Sequence, residues 1–266
     1  MVTKSVNLTF DLEEFDIPIE FGMPVTEQQQ RDVTVAGASG LLEILEKTGV
    51  QATFFTTANF ALGNPELVQE ISRTHEIASH AYFHHPHYQF KDDDLLESKL
   101  ILEKLTGQAV TGFRMPRLQP FDMVSLQTYG YTYDSSLHPT YLPGRYNHFR
   151  ENPLPHLRNG IAELPCSVSP YIRFPLFWLS FKNLPEFIYR RLARQTLRHR
   201  GTLVLYFHPW EFADLSGFQL PFYIRRYSGA PLLERLERLI EFFKRDPGLR
   251  FTTCSEVAES LKGIIS

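Results

Sequence analysis

Residues 6–14 read Val6-Asn-Leu-Thr-Phe-Asp-Leu-Glu-Glu14, a short apolar run that ends abruptly in acids. The same grammar recurs along the chain. A β-prone run covers Ala52–Thr57, Glu76–Ser79 leads into His80, Val110–Phe113 into Arg114, Tyr131–Tyr133 into Asp134, and Thr202–Phe207 into His208. Helical patterns lie between these runs: Gly40–Lys47, a stretch opened by Pro65, Asp92–Leu105, Asp122–Tyr129, Leu184–His199 and Pro231–Lys244. Further strands are expected at Ile161–Leu164 and Arg250–Thr253, with a last helix over Ser255–Lys262 capped by Ser255. Strands alternating with helices imply a mostly parallel sheet of seven or eight strands. A distorted (β/α) barrel forming one domain over residues 1–266 suits this length better than two domains; a doubly wound open sheet is the alternative.

Composition narrows the function classes. A net charge of −3 and a pI near 6.4 leave no general basic surface for phosphates, so nucleic acid is not an expected partner. Cys166 and Cys254 can form at most one bridge, which excludes a disulfide scaffold and a Cys-based zinc site. No apolar stretch approaches the ~18 residues of a membrane-spanning helix. The N-terminal Met-Val-Thr-Lys-Ser-Val lacks the apolar core of a secretory signal, so a cytoplasmic location is expected. Residues 138–185 break the rhythm, holding eight of the 18 prolines together with Tyr141, Tyr146, Phe149, Tyr171, Phe174, Phe177, Trp178 and Phe181. Such an insertion reads either as a wall of a binding cleft or as a satellite core under a long loop.

In parallel α/β folds the site lies at the carboxyl ends of the strands. Five strand ends here carry ionisable residues: Asp11, Glu13 and Glu14; His80 and His84; Arg114; Asp134; and His208 with Glu211. His80 and His84 are four apart, a spacing that on a helical turn lets two imidazoles share one metal. A lone His-x-x-x-His is more often a pair of surface histidines, and a carboxylate from another strand end is what completes a catalytic zinc set. Asp11 and Glu13 are two apart on an extended segment and point to one side. With Glu13 on a metal, Asp11 is placed as a base, Arg114 as its charge partner, and His208 as a general acid.

The order Thr9-Phe-Asp-x-Glu13, His80-x-x-x-His84, Phe113-Arg-x-Pro116, Tyr133-Asp-Ser-Ser136 and Leu205-x-x-His-Pro-Trp-Glu211 resembles the polysaccharide deacetylases with the NodB homology domain. The branch it is most similar to is found in exopolysaccharide biosynthesis loci. The likeness runs from about Val6 to Thr253. It implies a distorted (β/α) barrel, a divalent metal that is most often zinc, and removal of acetyl groups from sugars. By this resemblance the base matches Asp11, the metal histidines His80 and His84, the Arg holding the base Arg114, and the general acid His208. The acid supporting that His is then Asp134, and Arg117, Tyr133 and Trp210 fall at substrate-binding positions, with the oxyanion-binding amide just after Pro116 near Arg117.

Two departures stand out. Leu12 follows Asp11 where the family usually has a second Asp, so Glu13 is assigned as the metal carboxylate, with Glu14 the fallback. Arg117 replaces the usual aromatic after the proline, which points to an anionic or otherwise altered substrate. The expected function is metal-dependent deacetylation of an N-acetylated polysaccharide or oligosaccharide. Hydrolysis of a small cyclic amide or imide, and non-catalytic carbohydrate binding, are the alternatives. The expected partner is an acetylated saccharide, and the oligomeric state is left open.

Overall fold

The computed structural model describes residues 4–263. Its centre is β1 (Lys4–Leu12), whose last seven residues are all buried, as expected of a strand covered on both faces. β2 (Thr53–Thr56), β3 (Glu76–Ser79), β4 (Gly112–Phe113) and β5 (Tyr133–Asp134) follow in parallel to one side. A small hairpin, β6 (Tyr141–Leu142) and β7 (Tyr146–Asn147), stands apart from the main sheet. β8 (His156–Arg158) and β9 (Ile161–Glu163) form an antiparallel pair, and β9 joins β5 in parallel. β10 (Thr202–Phe207) lies along the other edge of β1, and β11 (Leu249–Phe251) pairs with Lys4–Val6. The sheet order is β10-β1-β2-β3-β4-β5-β9-β8 with β11 on β1. This is the expected single-domain, distorted (β/α) barrel, curled into a half-barrel.

The gap between the sheet edges is partly bridged by irregular chain. Ser167 donates its N–H to the Val204 carbonyl at 2.9 Å, and its Oγ accepts the Val204 N–H at 2.8 Å. The last helix, Cys254–Gly263, sits beneath the amino ends of β2 and β3: the Cys254 N–H reaches Thr53 Oγ1 and the Ser255 N–H reaches Glu76 Oε2. Above it Phe55, Ala78, Tyr133, Ala162 and Leu164 fill the lower interior. The carboxylate–imidazole cluster lies at the other end, where β1, β3 and β10 run out. No helix among the described residues is long and apolar enough to cross a membrane.

Several elements differ from the sequence expectation. The helix expected at Gly40–Lys47 begins at Glu27 and runs to Thr48. Thr26 and Gln29 form a capping box at its start, and Gly49 ends it in the left-handed region. The helix Ala58–Gly63, capped by Thr57 Oγ1 on the Phe60 N–H, is an addition. The last helix starts at Cys254, so its cap is Thr253 rather than Ser255; the Thr253 N–H donates to Glu256 Oε2 at 2.7 Å. Residues 138–185 are not one excursion, because they carry β9 into the main sheet.

Candidate active site

Strand β1 ends by placing Asp11 and Glu13 on the same side, as their spacing requires. Glu13 Oε2 lies 3.1 Å from His80 Nε2 and 3.3 Å from His84 Nε2. All three residues are buried. The two histidines are not on a helical turn: the chain after β3 is irregular, with Ala81 at φ 59°, and the rings stack with centroids 5.8 Å apart. On the other flank His208 Nε2 is 3.9 Å from Asp11 Oδ2 and 3.8 Å from Glu13 Oε1. Ligand atoms of Glu13, His80 and His84 converge, and so do those of Asp11, Glu13 and His208.

Hydrogen bonding decides which imidazole nitrogens face the cluster. His80 Nδ1 lies 2.8 Å from the Arg114 carbonyl oxygen, which only accepts, so Nδ1 carries the proton and the neutral ring offers Nε2 as a lone pair. His84 Nδ1 is held at 3.0 Å by Asp16 Oδ2, which fixes the same tautomer. A divalent ion fits this donor set: tetrahedral bonds of about 2.0–2.2 Å place neighbouring ligand atoms roughly 3.3–3.6 Å apart. Burial works against ionising Glu13, yet His84, His80 and His208 outweigh it and hold its carboxyl well below the ordinary range. Burial likewise opposes charge on His84, but Glu13 and Asp16 prevail and push it up to about 9.

Arg114 is fully buried and organises the floor. Its Nη1 donates to Asp11 Oδ1 at 2.6 Å and to Thr9 Oγ1 at 2.9 Å, while Nε and Nη2 bond the Ser135 carbonyl and hydroxyl. Asp11 is thus left with Oδ2 directed toward His80 and His208. His208 Nδ1 is 3.1 Å from Glu211 Oε1, which also accepts the His208 N–H at 2.8 Å. The indole of Trp210 stacks on His208 with centroids 4.8 Å apart, and its Nε1–H donates to Glu13 Oε1 at 3.4 Å. Burial depresses the charged form of His208, but Glu211, Glu13 and Asp11 raise its pKa overall.

Two assigned residues take other places, and a third lines the cavity already paired. Asp134 does not reach His208; it accepts the Ser136 Oγ–H at 2.6 Å, and Ser136 Oγ accepts the Met115 N–H, so Asp134 steadies the Arg114–Pro116 segment. Burial raises its carboxyl to about 6. Tyr133 is fully buried in the lower interior and donates its hydroxyl to Glu76 Oε1 at 2.8 Å, away from the cavity. Arg117 does line the cavity, but its guanidinium is engaged by Asp16 at 2.7 Å and by Glu20. Glu14 turns away to Asn59 and Thr57, and burial raises its carboxyl, so Glu13 is the carboxylate at the cluster.

The sequence marks Glu211 at a strand end without giving it a role, and it does not single out Asp16. Glu211 had a signal: it stands three residues after His208 at a short helix start, the spacing of a capping box. Asp16 had none beyond its place in an acidic loop. The site opens into a cavity of about 250 Å³ lined by Ile17, Phe21, Leu118, Tyr146, Phe177 and Trp178 among others. Residues 138–185 therefore supply a wall, through Tyr146, Phe177 and Trp178, while Tyr141, Phe149 and Tyr171 face solvent elsewhere.

A half-barrel with a buried carboxylate–imidazole cluster at its strand ends defines an α/β protein with a candidate site for a divalent ion. Residues 2–133 match the family model described as polysaccharide deacetylase. Asp11, Glu13, His80, His84 and Arg114 lie inside the matched stretch and His208 beyond it. No curated protein sequence matches the chain. Among solved structures, the fold is similar to a putative polysaccharide deacetylase from Mycobacterium smegmatis, with 22% identity, TM-score 0.67, and coverage of 98% of this chain and 91% of that one. It is also similar to a probable polysaccharide deacetylase from Pseudomonas aeruginosa PAO1 at 17% identity, TM-score 0.67, covering 96% and 89%. A Puue allantoinase shares the fold at 15% identity and TM-score 0.65, covering 96% and 89%.

Proposed function

We propose that the chain is a metal-dependent hydrolase that removes acetyl groups, N-acetyl foremost, from a polysaccharide or oligosaccharide. The observation that carries this reading is the convergence of Glu13 Oε2 on His80 Nε2 and His84 Nε2, with Asp11 and His208 beside it. Glu13, His80 and His84 would hold the ion, with zinc the first choice for two imidazoles and a carboxylate. A bound ion would lower the pKa of a water to roughly 7 and polarise the acyl carbonyl.

The remaining chemistry belongs to the side chains. Asp11 Oδ2 takes a proton from the attacking water, and the Arg114 hydrogen bond to Oδ1 holds the carboxylate aimed. His208 Nε2 gives a proton to the departing nitrogen, while Glu211 holds Nδ1 and the Trp210 ring fixes the imidazole plane. Phe177 and Trp178 wall the cavity and exclude water. The polymer belongs to cell-surface or exopolysaccharide assembly, consistent with the motif likeness. Zinc-supplemented protein is expected to release acetate from N-acetylated chito-oligomers, and untreated protein to carry about one equivalent of metal. Metal-replete protein that releases none from any acetylated saccharide refutes the reading.

A second reading, hydrolysis of a small cyclic amide, is favoured by the small apolar-walled cavity and the allantoinase-like fold. Ring-opened product without acetate would select it.

A further inference from the structure

The cavity is walled by segments far apart in sequence. Ile17, Glu20 and Phe21 come from the loop after β1, and Leu142, Pro143, Arg145 and Tyr146 from the β6–β7 hairpin. One carboxylate ties these walls together. Glu20 accepts from Arg117 through Oε1 and from Arg145 Nη2 through Oε2 at 3.2 Å. Arg117 in turn donates to Asp16, which holds His84. Arg117 and Leu118 hold successive left-handed conformations, at φ 58° and 51°, a costly local geometry that the fold retains.

We propose that the Glu20 bridge is a strap across the cavity, so that the site takes an acylated saccharide by its terminal unit and not along an open chain. This rests on the deacetylase reading above. The strap joins the loop after β1 to the β6–β7 hairpin beside the cluster, so a chain running on past the reacting ring meets the bridge, whereas a terminal ring does not. The strap is graded in rigidity. Asp16 is fully buried and the Arg117 and Glu20 side chains are 15% and 20% exposed, whereas that of Arg145 is 57% exposed. The inner bonds set the metal-facing geometry, and the outer Arg145–Glu20 pair is the part water can open. Arg117, the departure from the family pattern, is thereby a strap residue whose charge is already spent on protein carboxylates, not a receptor for an anionic sugar.

The test compares N-acetylated chitotriose with partially acetylated chitosan, using zinc-loaded wild type, Arg145→Ala and Glu20→Gln. Acetate release and mass-spectrometric mapping give the rate and the unit attacked. Wild type is expected to act at the chain end and to favour the trimer. Arg145→Ala is expected to raise kcat/KM on chitosan relative to the trimer by about five-fold, the scale of one exposed ion pair. Wild type that deacetylates internal units as efficiently as the trimer overturns the strap, as does a ratio moved by neither substitution. If no protein releases acetate, the deacetylase reading fails separately, and binding still judges the strap. Trp178 and Trp210, the chain's two tryptophans, both line the cavity and report occupancy by fluorescence. Quenching of wild type by the trimer, with chitosan quenching only Arg145→Ala, supports the strap; equal quenching by both, or none, overturns it.

Discussion

Asp11 and Glu13 are two residues apart, equally buried, and committed to different work. Arg114 occupies one oxygen of Asp11 at 2.6 Å, whereas both oxygens of Glu13 face imidazole or indole nitrogen. Asp11→Asn should therefore cost about 10²–10⁴-fold in kcat, the usual contribution of a placed base, while metal content stays at wild-type stoichiometry. Glu13→Gln should instead lose the metal first, read as zinc per protein after gel filtration. Glu14→Gln should keep it, because the Glu14 oxygens are taken by Asn59 and Thr57. Equal metal loss in Glu13→Gln and Glu14→Gln would sink this division of labour. The sequence showed these acids because a carboxylate at the end of an apolar strand is out of place in a core. It could not show that Glu211, and not Asp134, serves His208: the fourth-motif acid was assigned by motif order, whereas the turn after β10 supplies a partner three residues away.

At the scale of elements, the strands of the parallel sheet are legible in the sequence, whereas β6, β7, β8 and the short helices Ile17–Glu20, Ala58–Gly63, Trp178–Asn183 and Phe222–Arg225 are not, and one long helix is legible only in its second half. β10 falls where its Thr-Leu-Val-Leu-Tyr-Phe run places it, and β3 spans the expected Glu76–Ser79. The helix Glu27–Thr48 was cut short because its inward residues in the first half are Gln30, Thr34, Gly37 and Ala38, which give no apolar stripe. Close packing explains that choice. A Cβ on Gly37 would lie 1.9 Å from the Pro209 carbonyl oxygen and 3.0 Å from the Ala213 nitrogen, both backbone atoms that a rotamer change cannot move. The helix thus presses directly on the turn that carries His208, Trp210 and Glu211. Gly37→Ala should destabilise by about 1–3 kcal/mol through overpacking, seen as a lower thermal midpoint. It should also reduce kcat, because Pro209 adjoins His208. A midpoint and kcat both equal to wild type would show that the two elements are not so tightly joined.

For the whole molecule, the half-barrel gathers the carboxylate–imidazole cluster at one end and packs Phe55, Ala78, Ala162 and Leu164 toward the other. The gathered charge makes stability depend on pH in a way that metal should reverse. His84, raised from 6.5 to about 9 by Glu13 and Asp16 against the opposing effect of burial, stabilises the metal-free fold fully below its unfolded value of 6.5, and this is lost as pH climbs through 9. Glu13, held below its ordinary 4.5, contributes above that value and loses its contribution only in acid. The contribution of these two groups to metal-free stability is therefore greatest between about 4.5 and 6.5 and declines toward 9. A metal ion needs the same imidazoles unprotonated, so protons compete with it less as pH rises. The gain in stability from zinc over chelator-treated protein should grow across pH 6.5–9, by up to about 1.4 kcal/mol per unit while one proton is displaced. Paired thermal melts at matched free zinc measure this gap. A gap that is flat or narrows over this range would mean that the ion is not held by His84, and His84→Ala should abolish the slope if it is.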